Sequence, residues 1–157
     1  MLRLFCFLCL LLLPAAGAYA QIPPGQNTPT QIAPVQSGTV TFCQSIDDQW
    51  NPVKPTDSAA QNSPLCFLTK LRDPVKADSL GWIIHKVGED GADLSFVTEL
   101  QMGSRPDARW LCTTEPYVFT EAGHYRVYLV DWKKRQINVH KGNYTDCIAK
   151  GELNISQ

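Results

Sequence analysis

The sequence predicts an all-β fold, an antiparallel two-sheet sandwich of seven to nine short strands, on three observations. Apolar, β-branched and aromatic residues gather in short runs, several of them alternating with polar residues. Turn-forming clusters of Gly, Pro, Asn and Asp interrupt those runs at a spacing of about eight to twelve residues. No long stretch holds a helical period. The nearest, DPVKADSLGW from Asp73 to Trp82, has a proline near its start and a glycine near its end, and is expected to supply at most one turn.

The chain of 157 residues opens with MLRLFCFLCLLLLPAAGAYA. Arg3, the apolar run from Leu4 to Leu13, and the small residues Ala18 and Ala20 form the three parts of a removable secretory signal. That run is too short to cross about 30 Å of hydrocarbon as a permanent helix. Cys6 and Cys9 lie inside it and Gln21 follows the cleavage point, so a lipid anchor lacks its cysteine. Residues 1–20 are therefore set aside as a signal peptide, and a secreted or periplasmic product is expected, with no membrane span. Residues 21–38, QIPPGQNTPTQIAPVQSG, carry no charge and few large apolar groups. A segment of that composition cannot bury enough surface to offset its ordering entropy, and it reads as a disordered linker rich in Pro and Gln.

The folded domain is expected over 39–157. TVTFCQSI (39–46) is the first strand, and the proline-rich 47–64 stretch after it is expected to be a long irregular connection. LCFLTKL (65–71) and WIIHKV (82–87) follow, and Gly88-Glu89-Asp90-Gly91 turns the chain into LSFVTEL (94–100) as a hairpin partner. Further strand material lies within 109–119, in HYRVYLVDW (124–132), in QINVH (136–140) and in the terminal CIAKGELNI. In the 124–132 run, Tyr125, Val127, Leu129 and Asp131 share one face, and Arg126, Tyr128, Val130 and Trp132 the other. Both faces are largely apolar, which predicts a central strand covered on both sides. Gly123, just before it, can supply the positive φ of a tight corner.

AGHYRV, with its small residue, Gly and Tyr leading into a strand, resembles the corner of immunoglobulin-like and fibronectin type III-like sandwiches. Trp82 resembles the buried tryptophan of their third strand. The resemblance runs from Trp82 to Asp131 and implies that the Tyr125 hydroxyl bonds back to upstream backbone. Val127 stands where an antibody-type domain has its second core cysteine, so the resemblance is to the sandwich class rather than to one family. On that template the first strand lies beside the last, and the 65–71 strand beside the one within 109–119.

Four cysteines follow the signal, Cys43, Cys66, Cys112 and Cys147. An even number in an exported chain suggests two disulfides, and their wide spacing argues against a zinc cluster. The template implies Cys43–Cys147 with Cys66–Cys112, while the local pairing Cys43–Cys66 with Cys112–Cys147 stays open. Asn143 and Asn154 head N-glycosylation acceptor motifs.

Fourteen basic against fifteen acidic residues, a formal charge of −1, give nothing to attract a polyanion, so nucleic acid is not expected as a partner. His85, His124 and His140 stand at no metal-ligand spacing, and no nucleophile motif is present. No catalytic residue, metal or cofactor is assigned, and the chain is not expected to be an enzyme. The leading expectation is an exported, non-catalytic binding or assembly module that recognises a protein or a glycan through its loops. Its candidate contacts are Trp50 in the 47–64 connection, Glu89 and Asp90 in the 88–93 turn, and Trp132, Lys133, Lys134 and Arg135 at the 132–136 tip. A secreted inhibitor of a hydrolase, presenting 47–64 as a reactive segment, and a small exported hydrolase are the alternatives.

Overall fold

The computed structural model describes residues 38–105, 107–133 and 147–157, and every regular element among them is a strand. In chain order these are β1 (Gly38–Ile46), β2 (Pro52–Thr56), β3 (Ser58–Ala60), β4 (Pro64–Lys70), β5 (Ser79–Val87), β6 (Asp93–Gly103), β7 (Trp110–Cys112), β8 (Tyr117–Val118), β9 (Gly123–Asp131) and β10 (Ala149–Ser156). They join in one mixed sheet, strongly curled like a half-barrel, in the order β6-β5-β9-β10-β1-β4-β7. β2, β3 and β8 attach to β1, β10 and β4 respectively.

Three expectations change. The pairing is not wholly antiparallel, because β1 runs parallel to β10 through Gly38↔Ala149 and Thr39↔Lys150, and β3 also runs parallel to β10. Ten strands are described rather than seven to nine. The 47–64 stretch is not irregular throughout: it contains β2 and β3. Its prolines are tolerated because β2 pairs on one side only, where a missing N–H costs no ladder bond. The expected strand at 136–140 lies outside the described residues.

The hydrophobic core follows the alternation in the sequence. Val40 and Phe42 of β1, Leu65 and Phe67 of β4, and Tyr125, Val127 and Leu129 of β9 all enter it with Trp82. Phe67 sits at its centre, edge-on to both Phe42 and Trp82 with ring centroids 5.3 and 5.7 Å away. The opposite face of β9 is covered too, where Tyr128 and Val130 pack with Ile83. β9 is flanked by β5 and β10 along nearly its whole length, as a strand apolar on both faces requires.

Two local features depend on glycine. β1 leaves β10 after two residues and continues against β4, passing close over Gly151. A Cβ at Gly151 would lie 2.6 Å from the Val40 carbonyl oxygen and 2.8 Å from the Val40 Cβ, so only glycine admits the crossing. At the corner into β9, Gly123 has φ +150° and the Tyr125 hydroxyl donates to the Glu121 carbonyl at 2.9 Å. The Tyr125 ring meanwhile lies 4.7 Å from that of Phe119, inside the core.

Tyr125→Phe removes one hydrogen bond and leaves the ring, with an expected cost of about 0.5–1.5 kcal/mol. Tyr125→Ala also empties the core position, with an expected cost of about 3–5 kcal/mol. Urea denaturation of the two variants checks the difference.

Candidate functional site

The face of β1, β4 and β7 opposite the main aromatic cluster is buried at Cys43 and Leu68 and opens to water at Lys70 and Trp110. Register fixes its members: Cys43 opposes Cys66, Thr41 opposes Leu68, Leu68 opposes Cys112, and Lys70 opposes Trp110. Each belongs to the row that alternates with the core residues Val40, Phe42, Phe67 and Leu111. A groove of about 610 Å³ opens there, bordered by Thr39, Thr41, Pro52, Leu68, Lys70 and Arg72.

Lys70 organises the groove. Its Nζ stands 4.1 Å from the centroid of the Trp110 ring and donates to Asn51 Oδ1 at 3.2 Å. Asn51 belongs to a turn built on Asp47, whose Oδ1 accepts the amides of Asn51 at 2.7 Å and Gln49 at 2.9 Å. The Asn51 amide, more than any other contact, holds the Asp47 carboxyl below its usual range. Trp50, at φ +60°, is fixed at the tip of this turn. Trp50, Trp110 and Val53 are 44, 40 and 39% exposed, so three large apolar side chains face water on the elements that flank Lys70: the Asp47 turn, β7 and β2.

A second polar cluster lies across the sheet. Asp93, with a side chain only 1% exposed, accepts from Arg126 Nη1 at 2.6 Å and from the Tyr128 hydroxyl at 2.7 Å. Arg126 Nε donates to Glu152 at 2.9 Å, and His124 approaches the other oxygen of that carboxylate at 3.3 Å. Burial works against the Arg126 charge, but its bonds to Tyr128 and Glu152 and the Asp93 charge outweigh it and hold the guanidinium above its ordinary value. Burial, followed by the bond to Asp93, pushes the Tyr128 hydroxyl up. This cluster ties the start of β6 to β9 and β10. It contains no nucleophile beside a base, and among the described residues no group of three or more His, Cys, Asp and Glu side chains is placed to hold a metal ion.

The residues singled out in the sequence do not form one surface. β5 and β9 run antiparallel, with Val87↔His124 at one end and Leu80↔Asp131 at the other. Glu89 and Asp90 therefore lie beyond one end of the pair and Trp132 and Lys133 beyond the other, on the order of 25 Å apart at about 3.3 Å per residue. Glu89 and Asp90 are exposed, and Asp90 caps its own turn by accepting the Ala92 amide at 3.0 Å. The Trp132 ring lies on Gly81, and Lys133 Nζ pairs with Asp78 at 2.8 Å. Lys134, Arg135, His140 and Asn143 lie outside the described residues, and Asn154 is exposed on β10. His85 is buried, edge-on to Phe96 and Tyr128.

The cysteines are likewise redistributed. Cys43, Cys66 and Cys112 share the groove face, whereas Cys147 packs against Ile83, Tyr128 and Val130. Cys43 lies five residues beyond Gly38 on β1, and Cys147 precedes Ala149, the partner of Gly38, by two residues. Five residues of strand alone span on the order of 16 Å, so the structure does not bring Cys43 and Cys147 together. Among the described residues no two sulfurs stand at bonding distance. Sequence reasoning passed over Lys70 and Asn51. The alternation of LCFLTK places Lys70 on the Cys66 face, but its approach to Trp110 and Asn51 depends on pairings between distant segments.

No protein-family model matches the chain, and no curated protein matches its sequence.

Burial alone would raise the Glu152 carboxyl, but the Arg126 bond and charge, with His124 and Lys150, bring it below its ordinary 4.5. A depressed carboxylate contributes stability that is full above its unfolded value and is lost as pH falls through the folded one. Urea midpoints measured from pH 7 to pH 3 should therefore fall more steeply below about pH 4.5 in the native protein than in Glu152→Gln.

Proposed function

We propose that this chain is an exported, non-catalytic binding module on an immunoglobulin-like sandwich, and that it recognises a protein or glycan outside the cytoplasm. The single observation that carries the reading is the surface formed by Trp50, Val53, Trp110 and Lys70. Three large apolar side chains remain in water, Trp110 under the Lys70 ammonium, Trp50 next in sequence to its partner Asn51, and Val53 on β2, although the core buries residues of the same kinds completely. Tryptophan offers a rigid apolar face with a polar edge, and it is the residue type most enriched where partners bind. Lys70 adds a donor and a charge to which a partner's carboxylate or hydroxyl groups can bond.

The secretory signal supports the compartment. The Tyr125 corner, the buried Trp82, and the pairings β1–β10 and β4–β7 support the sandwich reading. Recognition is assigned to this face rather than to the two sheet ends, because the 88–92 turn and the Trp132–Lys133 tip lie at opposite ends of the β5–β9 pair and share no surface with an exposed aromatic cluster.

Trp50→Ala and Trp110→Ala, tested against a glycan array and against proteins captured from the producing organism's extracellular fraction, should each weaken the bound partner by about 30-fold. Glu89→Ala is expected to leave the same binding unchanged. Equal affinity in all three variants would remove this face from the reading.

A further inference from the structure

Three thiols converge on the groove face although their positions in the chain are far apart. Cys43 and Cys66 are directly opposed on the antiparallel strands β1 and β4. Cys112 on β7 opposes Leu68, which places it diagonally from Cys66 on the same face. Cys43 is fully buried and its thiol is directed at the Cys66 carbonyl oxygen, 3.7 Å away. Cys66 and Cys112 are partly exposed. Burial, then the neighbouring sulfur of Cys66, pushes the Cys43 thiol up to about 11. Cys112 is shifted in the same direction by the same two causes.

We propose that these residues form a three-thiol exchange site, in which Cys66 closes a cross-strand disulfide with Cys43 and Cys112 is the third thiol able to take Cys43's place. Directly opposed residues of an antiparallel pair have Cα atoms within the range a disulfide accepts, and Cβ atoms about 4.5–5.5 Å apart that must draw together slightly to reach the separation of about 3.5–4.5 Å in a disulfide. Diagonal neighbours are about 7–8 Å apart, so a Cys66–Cys112 bond needs backbone movement. β7 can supply it, since it is a three-residue strand at the end of the sheet.

The oxidant is a small disulfide such as oxidised glutathione. The Cys66 thiolate attacks one of its sulfurs, forms a mixed disulfide and releases one glutathione thiolate. The Cys43 thiol, which burial keeps protonated, then gives up its proton as it attacks the Cys66 sulfur, forms the Cys43–Cys66 bond and expels the second glutathione. Two cysteine thiols are oxidised, one external disulfide is reduced, and the two protons end on the two released thiols. Attack by the Cys112 thiolate on the Cys66 sulfur would move the bond to Cys66–Cys112 and return Cys43 to a thiol, with no net oxidation.

The test is peptide mapping of the secreted protein after equilibration with oxidised glutathione, acid quenching and alkylation with N-ethylmaleimide. Native protein should give a Cys43–Cys66 cross-linked peptide with Cys112 alkylated, and Cys112→Ser should give the same bond. Cys43→Ser should give a Cys66–Cys112 bond instead, with Cys43→Ala as the alternative variant if the serine protein does not fold. A native bond from Cys147 to any of the three, or full alkylation of Cys43 and Cys66, would overturn the proposal. So would alkylation of both Cys66 and Cys112 in the folded Cys43 variant.

Discussion

Burial of β9 on both faces constrains the other strands. A strand with Val127 and Leu129 on one side and Tyr128 and Val130 on the other has no face to offer water. It must lie between two hydrogen-bonding neighbours, and β5 and β10 take those places. Once β10 is fixed beside β9, its remaining edge receives the first residues of β1, and β1 carries the chain on to β4 and β7. β1 thus serves β10, β2 and β4 along one strand, and Gly151 admits the close crossing.

The corner at Tyr125 and the charge cluster at Arg126 anchor this strand in complementary ways. Tyr125 places its ring among Phe119 and the core aromatics while its hydroxyl returns to the backbone of Glu121. One residue later, on the opposite face, Arg126 bridges the nearly buried Asp93 to Glu152. A buried carboxylate without those donors would carry a large desolvation cost, so the Arg126 and Tyr128 bonds are what make Asp93 tolerable at that position. The cluster therefore clasps β6, β9 and β10 together.

The groove face has a different character. The core conceals its aromatics completely, whereas Trp50 and Trp110 remain substantially in water, one on an Asp47-built turn and one under the Lys70 ammonium. The three thiols lie in the same strand row as Lys70 and Trp110. Recognition and redox chemistry would thus share β4 and β7, the strands that carry Lys70, Trp110, Cys66 and Cys112.

The sequence by itself determined the all-strand character, most strand positions, and the division of the 124–132 run into two buried faces. These are local matters of alternation, turn residues and glycine placement, and a chain reports them wherever it folds. The 47–64 stretch escaped because its prolines forbid a central strand but not an edge pairing, and nothing local reveals which one a segment becomes. Only the tertiary structure decided that Lys70 meets Trp110 and Asn51, that Glu89 and Lys133 lie at opposite ends, and that Cys43 faces Cys66 rather than Cys147. Each of those depends on the register between segments distant in sequence, which is fixed by the joint packing of whole strands rather than by any residue's immediate neighbours.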